Sequence, residues 1–463
     1  MEKLRSFTKS QCYEKAELIF KLCYLCLTFI SFNTFFARQW YLSVFSYVIV
    51  TFATVFTLLR LIRIRDYFTP PIFVLMLLWI AYIFSSINTI RYGYLENAQA
   101  LAWMFIQYFL IFAYDKKRDE QSLIEERNAI HIFILIYTSI AAIIAFVMMA
   151  TGYSYFKVID GYNIFGGFVM NRLFGIYMDC NYGAILSIIS IILSLKYYKL
   201  TNVKMRILLI INIIVEYLFV CYSDSRTGLI AISVAMFIYF ITTKNVGNRI
   251  KSKKFWKNVF FGLVLAICVA SSVLIIKEVS SAITTELATM RIDVSNINES
   301  EQQKLIEEAK VGRYDNGIAE KNVKNVRFLI WGSAVDLFKA HPILGVSFRN
   351  NIETAQAEMC STFIAGAGYD SMHNFVFDVL SSQGIVGIML VAILMALSFV
   401  SVGKNYNEYE DYGIMLSIVA VIFVSMIFYS EAFYMNTPGA FIFWYILGYM
   451  VNYKGQKKDC ANG

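Results

Sequence analysis

Apolar positions in this chain come in long unbroken blocks rather than in alternation. Twelve such blocks stand out, at residues 18–36, 41–59, 71–87, 98–114, 130–150, 176–195, 207–221, 228–242, 259–276, 385–402, 414–428 and 440–451. A helix needs about 20 apolar residues to cross the hydrocarbon core of a bilayer, and most blocks approach that length. Barrel strands are shorter and alternate in polarity, so the pattern predicts an all-α, polytopic membrane bundle of about twelve helices. The first block follows Lys3, Arg5, Lys9 and Lys15, but no small-residue cleavage site follows it, so it reads as a retained anchor.

One segment breaks the rhythm. Residues 278–372 are polar and divide the chain into a bundle at 1–277, a long loop, and a second bundle portion at 373–463. The loop contains a charged helical stretch over 299–310. A second stretch over 325–340 places Phe328, Trp331, Val335 and Phe338 on one helical face. His341-Pro342 then stops that helix. The second helix is expected either as a lid on the membrane surface or as a spacer packed on the bundle. No internal repeat is visible, and none of the four prolines interrupts a block, which speaks against the broken repeats of alternating-access carriers.

Composition sharpens this picture. The 463 residues are 58% hydrophobic and 16% charged, against about 25% charged in a soluble domain. The 41 Lys and Arg exceed the 33 Asp and Glu by eight, but they sit between apolar blocks, where they orient helices rather than hold nucleic acid. Alternate short loops are basic: Arg60, Arg63 and Arg65; Lys116, Lys117, Arg118 and Arg127; Lys196, Lys199, Lys204 and Arg206; Arg249 to Lys257. By the positive-inside rule both termini are expected in the cytoplasm, and 278–372 outside. The eight cysteines follow no disulfide or zinc spacing, and phosphate-binding glycine loops are missing.

Ionisable residues next to apolar blocks carry the chemistry. Asp179, Glu216, Asp224, Arg172, Arg226 and Glu431 stand in or beside spans, most of them on the expected outer side, where such groups usually mark function. Arginine holds phosphate bidentately and stays charged when partly desolvated. Arg172 and Arg226 therefore suggest a lipid phosphate or diphosphate. The alternative is a pair of local salt bridges, Arg172 with Asp179 and Arg226 with Asp224. Of the three histidines, His131 is expected at the membrane interface and His341 as a helix C-cap. His373 lies where the loop re-enters the membrane and is a candidate general base.

Four stretches carry a resemblance. They are Arg172, Gly175, Asp179 and Asn181 at the entry to a central span; Ser225-Arg226-Thr227-Gly228; Arg327, Trp331, Phe338 and His341-Pro342-Ile343-Leu344-Gly345; and His373-Asn374 followed by Gly384 and Gly387. In these the chain resembles the O-antigen polymerase (Wzy-type) and O-antigen ligase superfamily of polysaccharide-assembling membrane glycosyltransferases. It departs from the family at Cys180, where proline is frequent and a kink would be expected. The resemblance implies transfer of a glycan from undecaprenyl diphosphate to a sugar hydroxyl at the outer face of a bacterial cytoplasmic membrane. In this reading His373 takes the hydroxyl proton, and Arg172, Arg226 and Arg327 stabilise the leaving diphosphate. Asp179, Asn181, Trp331 and Asn374 complete the substrate-binding set. No cofactor or metal is expected. The implied partners are the lipid-linked oligosaccharide, membrane lipid, a chain-length regulator and a flippase, with no nucleic acid. A polymerase is favoured over a ligase that transfers to lipid A core or protein, and over a non-enzymatic lipid-glycan flippase.

Overall fold

The computed structural model describes residues 2–159, 162–244, 252–291, 310–311, 319–367, 371–405 and 411–452. The charged helix expected at 299–310 falls outside these residues except for its last position. Each of the twelve apolar blocks is helical over most of its length. The described α-helices of eight or more residues are α1 (Gln11–Ser31), α2 (Trp40–Leu61), α3 (Pro70–Asn88), α4 (Leu95–Ile106), α5 (Glu120–Thr151), α6 (Cys180–Tyr198), α7 (Val203–Tyr222), α8 (Arg226–Lys244), α9 (Lys253–Arg291), α10 (Ala319–Ala340), α11 (Asn351–Glu358), α12 (Phe375–Asn405), α13 (Tyr412–Phe428) and α14 (Pro438–Asn452). Among the described residues, eight helices are long and apolar enough to cross a membrane: α2, α3, α5 to α9 and α12. The other four blocks fall short for separate reasons. Helix α1 carries Glu14, Lys15, Glu17 and Lys21, α4 runs into a π-turn at Gln107–Ile111, and α13 and α14 have 17 and 15 residues.

Burial separates a lipid-facing shell from a polar-tolerant interior. Ile132, Ile136, Ile140, Ile143 and Val147 form an exposed apolar stripe along α5 at helical spacing. Helices α6 and α14 are almost wholly buried and form the centre. At one end of the bundle several of the charges read above as loop markers are packed inside. Lys21 Nζ lies 2.7 Å from Glu126 and 3.2 Å from Glu17, Arg60 pairs with Glu17, and Arg118 lies 2.6 Å from Glu126. These pairs tie α1, α2 and α5 together, and removing one partner of such a pair costs about 3–5 kcal/mol. His131 belongs to this interior. It is 1% exposed, with Nδ1 3.3 Å from the Tyr197 hydroxyl, so its ring faces the protein interior.

Two local structures shape the opposite end. The first is a small antiparallel sheet, which the block pattern did not predict: β1 (Tyr155–Ile159), β2 (Tyr162–Val169) and β3 (Arg172–Gly175). Strands β2 and β3 are joined at Val169↔Arg172 by Met170 and Asn171, both left-handed at φ 52° and 60°. That is the backbone of a type I′ hairpin.

The second is a break in α12. Gly384 adopts φ 58°, ψ −151°, a conformation essentially reserved for glycine. The segment after Pro342 fills the gap. Ile385 N–H donates to Pro342 O at 2.9 Å, and Val346 and Ser347 donate to Ser381 and Ser382 carbonyls at 2.9 and 3.0 Å. A span is therefore broken here by glycine, although no proline interrupts one. A Cβ on Gly384 would lie 2.6 Å from the Ile343 and Pro342 carbonyl oxygens. Gly384→Ala is expected to lower stability by about 3 kcal/mol, read as a drop in thermal midpoint of the purified protein.

Helix α10 ends at Ala340, before His341-Pro342 as expected. Ile330, Ala334 and Leu337 are covered, packing with Val346, Ala355, Ile364 and Met372, whereas Phe328 is exposed. Apolar residues occur nearly all round this helix, so periodicity alone did not select the face. The helix packs on the bundle through α12.

A candidate active site around Arg172, His373 and Tyr429

Arg172 is placed by the hairpin, as the first residue of β3. Its Nε donates to Ser223 O at 2.8 Å, and Nη2 donates to Asn181 Oδ1 at 2.6 Å and Asp224 O at 3.5 Å. Asn181 is itself fixed by Asp179. The Asp179 carboxylate caps α6, accepting from Asn181 N–H at 2.6 Å and Tyr182 N–H at 3.4 Å, and its Oδ1 also takes Asn181 Nδ2 at 2.9 Å. So Arg172 reaches Asp179 through Asn181, not by the direct salt bridge considered from sequence. Nη1 of Arg172 has no hydrogen bond to a described residue, which leaves two N–H groups of the guanidinium for a ligand. Cys180 occupies the first helical turn directly after this cap. Proline is tolerated at that position without bending a helix, so no kink is lost by its absence.

Arg226 opens α8, directly beyond the turn that Arg172 grips, and its side chain is exposed. Ser225 Oγ accepts Gly228 N–H at 2.9 Å and closes that helix end. Asp224, at φ 45°, pairs with Lys277 of α9 at 3.1 Å. Lys277 was not singled out from sequence, because a lysine near the end of a long apolar helix is an ordinary interfacial residue.

His373 sits in a backbone clamp. It is left-handed at φ 50°. On one side Met372 N–H donates to Asp378 Oδ1 at 2.8 Å, and Met372 O accepts Trp331 Nε1–H at 3.0 Å. On the other side Asn374 Oδ1 accepts Val376 N–H at 2.9 Å and caps α12, while its Nδ2 donates to Ile427 O at 2.9 Å. Asp378 Oδ2 also accepts the Ser430 hydroxyl. One buried carboxylate thus fixes residue 372 and residue 430 together. Trp331 and Asn374, both expected among substrate-binding residues, use the groups described here to hold the chain around His373. Trp331 also stacks on Phe377 at 5.1 Å.

Tyr429 is where the parts meet. Its ring lies edge-on to the His373 ring, with centroids 6.4 Å apart. Burial holds its phenol well above the ordinary tyrosine range, Asp179 and Cys180 push the same way, and Arg327 and Arg172 oppose them. Tyr429 therefore lies within electrostatic reach of Asp179, Arg172 and Arg327. Arg327 reaches this end from α10, its guanidinium 5.6 Å from the Phe428 ring centre. Sequence offered no signal for Tyr429, since interfacial tyrosines are common. Nearby, Glu431 is 2% exposed and pushed up to about 8, chiefly by burial, with Asp179 adding to it and the Ser425 hydroxyl at 2.7 Å opposing it.

The structure thus brings together His373, Tyr429, Arg172, Asn181, Asp179 and Arg327, with Arg226 and Lys277 around the adjoining turn. His341 stands apart. Its Nε2 lies 2.8 Å from Glu358 Oε2, and Glu358 also takes Arg91 and Tyr92 at 2.7 Å, so it joins α10 to α11 instead of capping its own helix. Among the described residues no three His, Cys, Asp or Glu side chains gather as a metal site.

None of the curated proteins compared matches the chain. Residues 207–392, from α7 through the first half of α12 and past its break, do match the family model described as O-antigen ligase. This stretch supplies Arg226, Lys277, Arg327, Trp331 and His373, and over it the chain is similar to the O-antigen ligase family of membrane enzymes in polysaccharide assembly.

Proposed function

We propose that the protein is a polysaccharide polymerase that transfers glycan from one undecaprenyl-diphosphate-linked repeat to a sugar hydroxyl of another. The observation that carries this reading is the approach of His373 to a tyrosine that lies in the field of Arg172, Asp179 and Arg327. In the reaction, the acceptor oxygen bonds to the anomeric carbon of the donor as the bond from that carbon to the diphosphate oxygen breaks. His373 takes the hydroxyl proton. The diphosphate leaves with its electron pair, and its charge is stabilised by Arg172, Arg226 and Arg327, with Lys277 at the adjoining turn. Attack opposite the leaving group inverts the anomeric centre. Asp179 and Asn181 keep the Arg172 fork in one orientation.

The alternation of basic loops supports placing this site at the outer face of a bacterial cytoplasmic membrane, with both termini inside. A chain-length regulator and a flippase are the expected protein partners. Purified protein given only lipid-linked repeat should produce a ladder of longer lipid-linked glycans and free undecaprenyl diphosphate. Transfer that occurs only when lipid A core is added would assign the ligase instead. Movement of unreacted lipid-linked repeat across vesicles, with no new linkage, would assign the carrier.

A further inference from the structure

The interior holds a second cluster that the transfer chemistry does not use. Glu216 lies within α7, seven residues and about 10 Å of helix from Ser223. It is fully buried, and neither carboxylate oxygen has a hydrogen-bond partner. The hydroxyls of Ser187, Ser190 and Thr138 face it, from α6 and α5. Tyr177, in the turn before α6, feels its charge. The hydroxyls of Ser187 and Tyr177 are themselves buried without a partner. Ser190 already accepts from Thr138 at 2.9 Å and Asn212 at 3.0 Å, which leaves only its O–H for Glu216. Three orphaned oxygen-bearing groups therefore converge on one place inside the bundle.

Charge decides what belongs there. Among the described residues no lysine, arginine or histidine acts on Glu216. Helices α5 and α6 bring only hydroxyls, Tyr177 is the one titratable neighbour, and on α7 the next residue, Tyr217, turns away to Ser272 of α9 at 2.6 Å. A bare carboxylate within a membrane bundle is costly, and such groups are paired or take up an ion. One carboxylate balances one positive charge, whereas a divalent ion would leave an excess. The donors are all oxygen, which suits a hard cation and not a soft transition metal.

We propose that Glu216, with the hydroxyls of Ser187, Tyr177 and Thr138, forms an exchangeable site for a small monovalent cation, either sodium or a proton, inside the bundle. The O–H of Ser190, its oxygen already accepting from Thr138 and Asn212, remains available to the carboxylate. The site lies beneath the turn at 223–224 that Arg172 holds.

Thermal unfolding of the full-length protein in detergent, at constant ionic strength with sodium exchanged for N-methylglucamine, tests this. For sodium, the midpoint rises by about 5 °C at saturation, the effect weakens as pH falls, and Glu216→Gln abolishes it. For a proton, sodium has no effect, while an infrared band of a protonated carboxyl titrates with pH and is missing from Glu216→Gln. If Glu216→Gln does not fold, Ser187→Ala carries the test, with a tenfold weaker sodium response or a shifted carboxyl band. A protein with neither sodium dependence nor a titrating carboxyl band assignable to Glu216 overturns the proposal, and that result is independent of whether the protein polymerises glycan.

Discussion

His373→Ala is expected to abolish glycan transfer while the protein still binds lipid-linked donor. General-base catalysis contributes about 10²–10⁴-fold, and no second histidine stands ready, since His341 is engaged with Glu358 and His131 with Tyr197. The substitution also removes the ring that meets Tyr429. Because Asp378, Trp331 and Asn374 hold the residues on either side of His373, the loop should keep its shape and the thermal midpoint should move little. The measurement is glycan length on a gel from purified protein and lipid-linked repeat, beside donor binding to the same sample. Full-length polymer from His373→Ala would remove histidine from the mechanism. Loss of transfer with a large fall in the midpoint would recast the residue as structural. His341→Ala serves as the contrast, and should loosen the contact between α10 and α11 while leaving the chemistry in place.

Arg172→Lys is expected to reduce transfer about 100-fold or more, the loss typical of removing one stabilising donor. Lysine keeps the charge but has one point of attachment. Arginine here uses Nε and Nη2 to hold Ser223, Asp224 and Asn181, and keeps Nη1 for the ligand. An ammonium cannot do both. Asn181→Ala separates anchoring from binding: it leaves the full guanidinium but removes one of its fixed partners, so a smaller loss, of about tenfold, should follow. Near-normal transfer in Arg172→Lys would reduce the residue to a topological charge. Arg226, exposed at the start of α8, should tolerate lysine better than Arg172 does.

The break in α12 shows where a sequence reading runs out. Gly384 and Gly387 were visible as a motif, and His341-Pro342 as a helix stop. That residues 342–347 hydrogen-bond into the gap at Gly384 depends on two segments about forty residues apart meeting. The cluster around Glu17, Lys21 and Glu126 teaches the same lesson from the other end. Arg60 and Arg118 were read as loop charges, which is how they look from flanking hydropathy, yet both are held in buried pairs.

Hydropathy by itself determined the class, the order of the helical blocks and the position of the long polar segment. Those properties follow from the cost of leaving backbone and charge in hydrocarbon, which each stretch meets alone. The chemical types of the site were legible too, because arginines and a histidine beside apolar blocks are rare enough to stand out. Their partners were not. Tyr429 beside His373, Asn181 between Arg172 and Asp179, Asp378 joining residues 372 and 430, and the orphaned groups around Glu216 all join residues from separate segments or turns. Only packing decided them, since a hydrogen bond or a field is set by distances of a few ångströms that no single stretch of sequence contains.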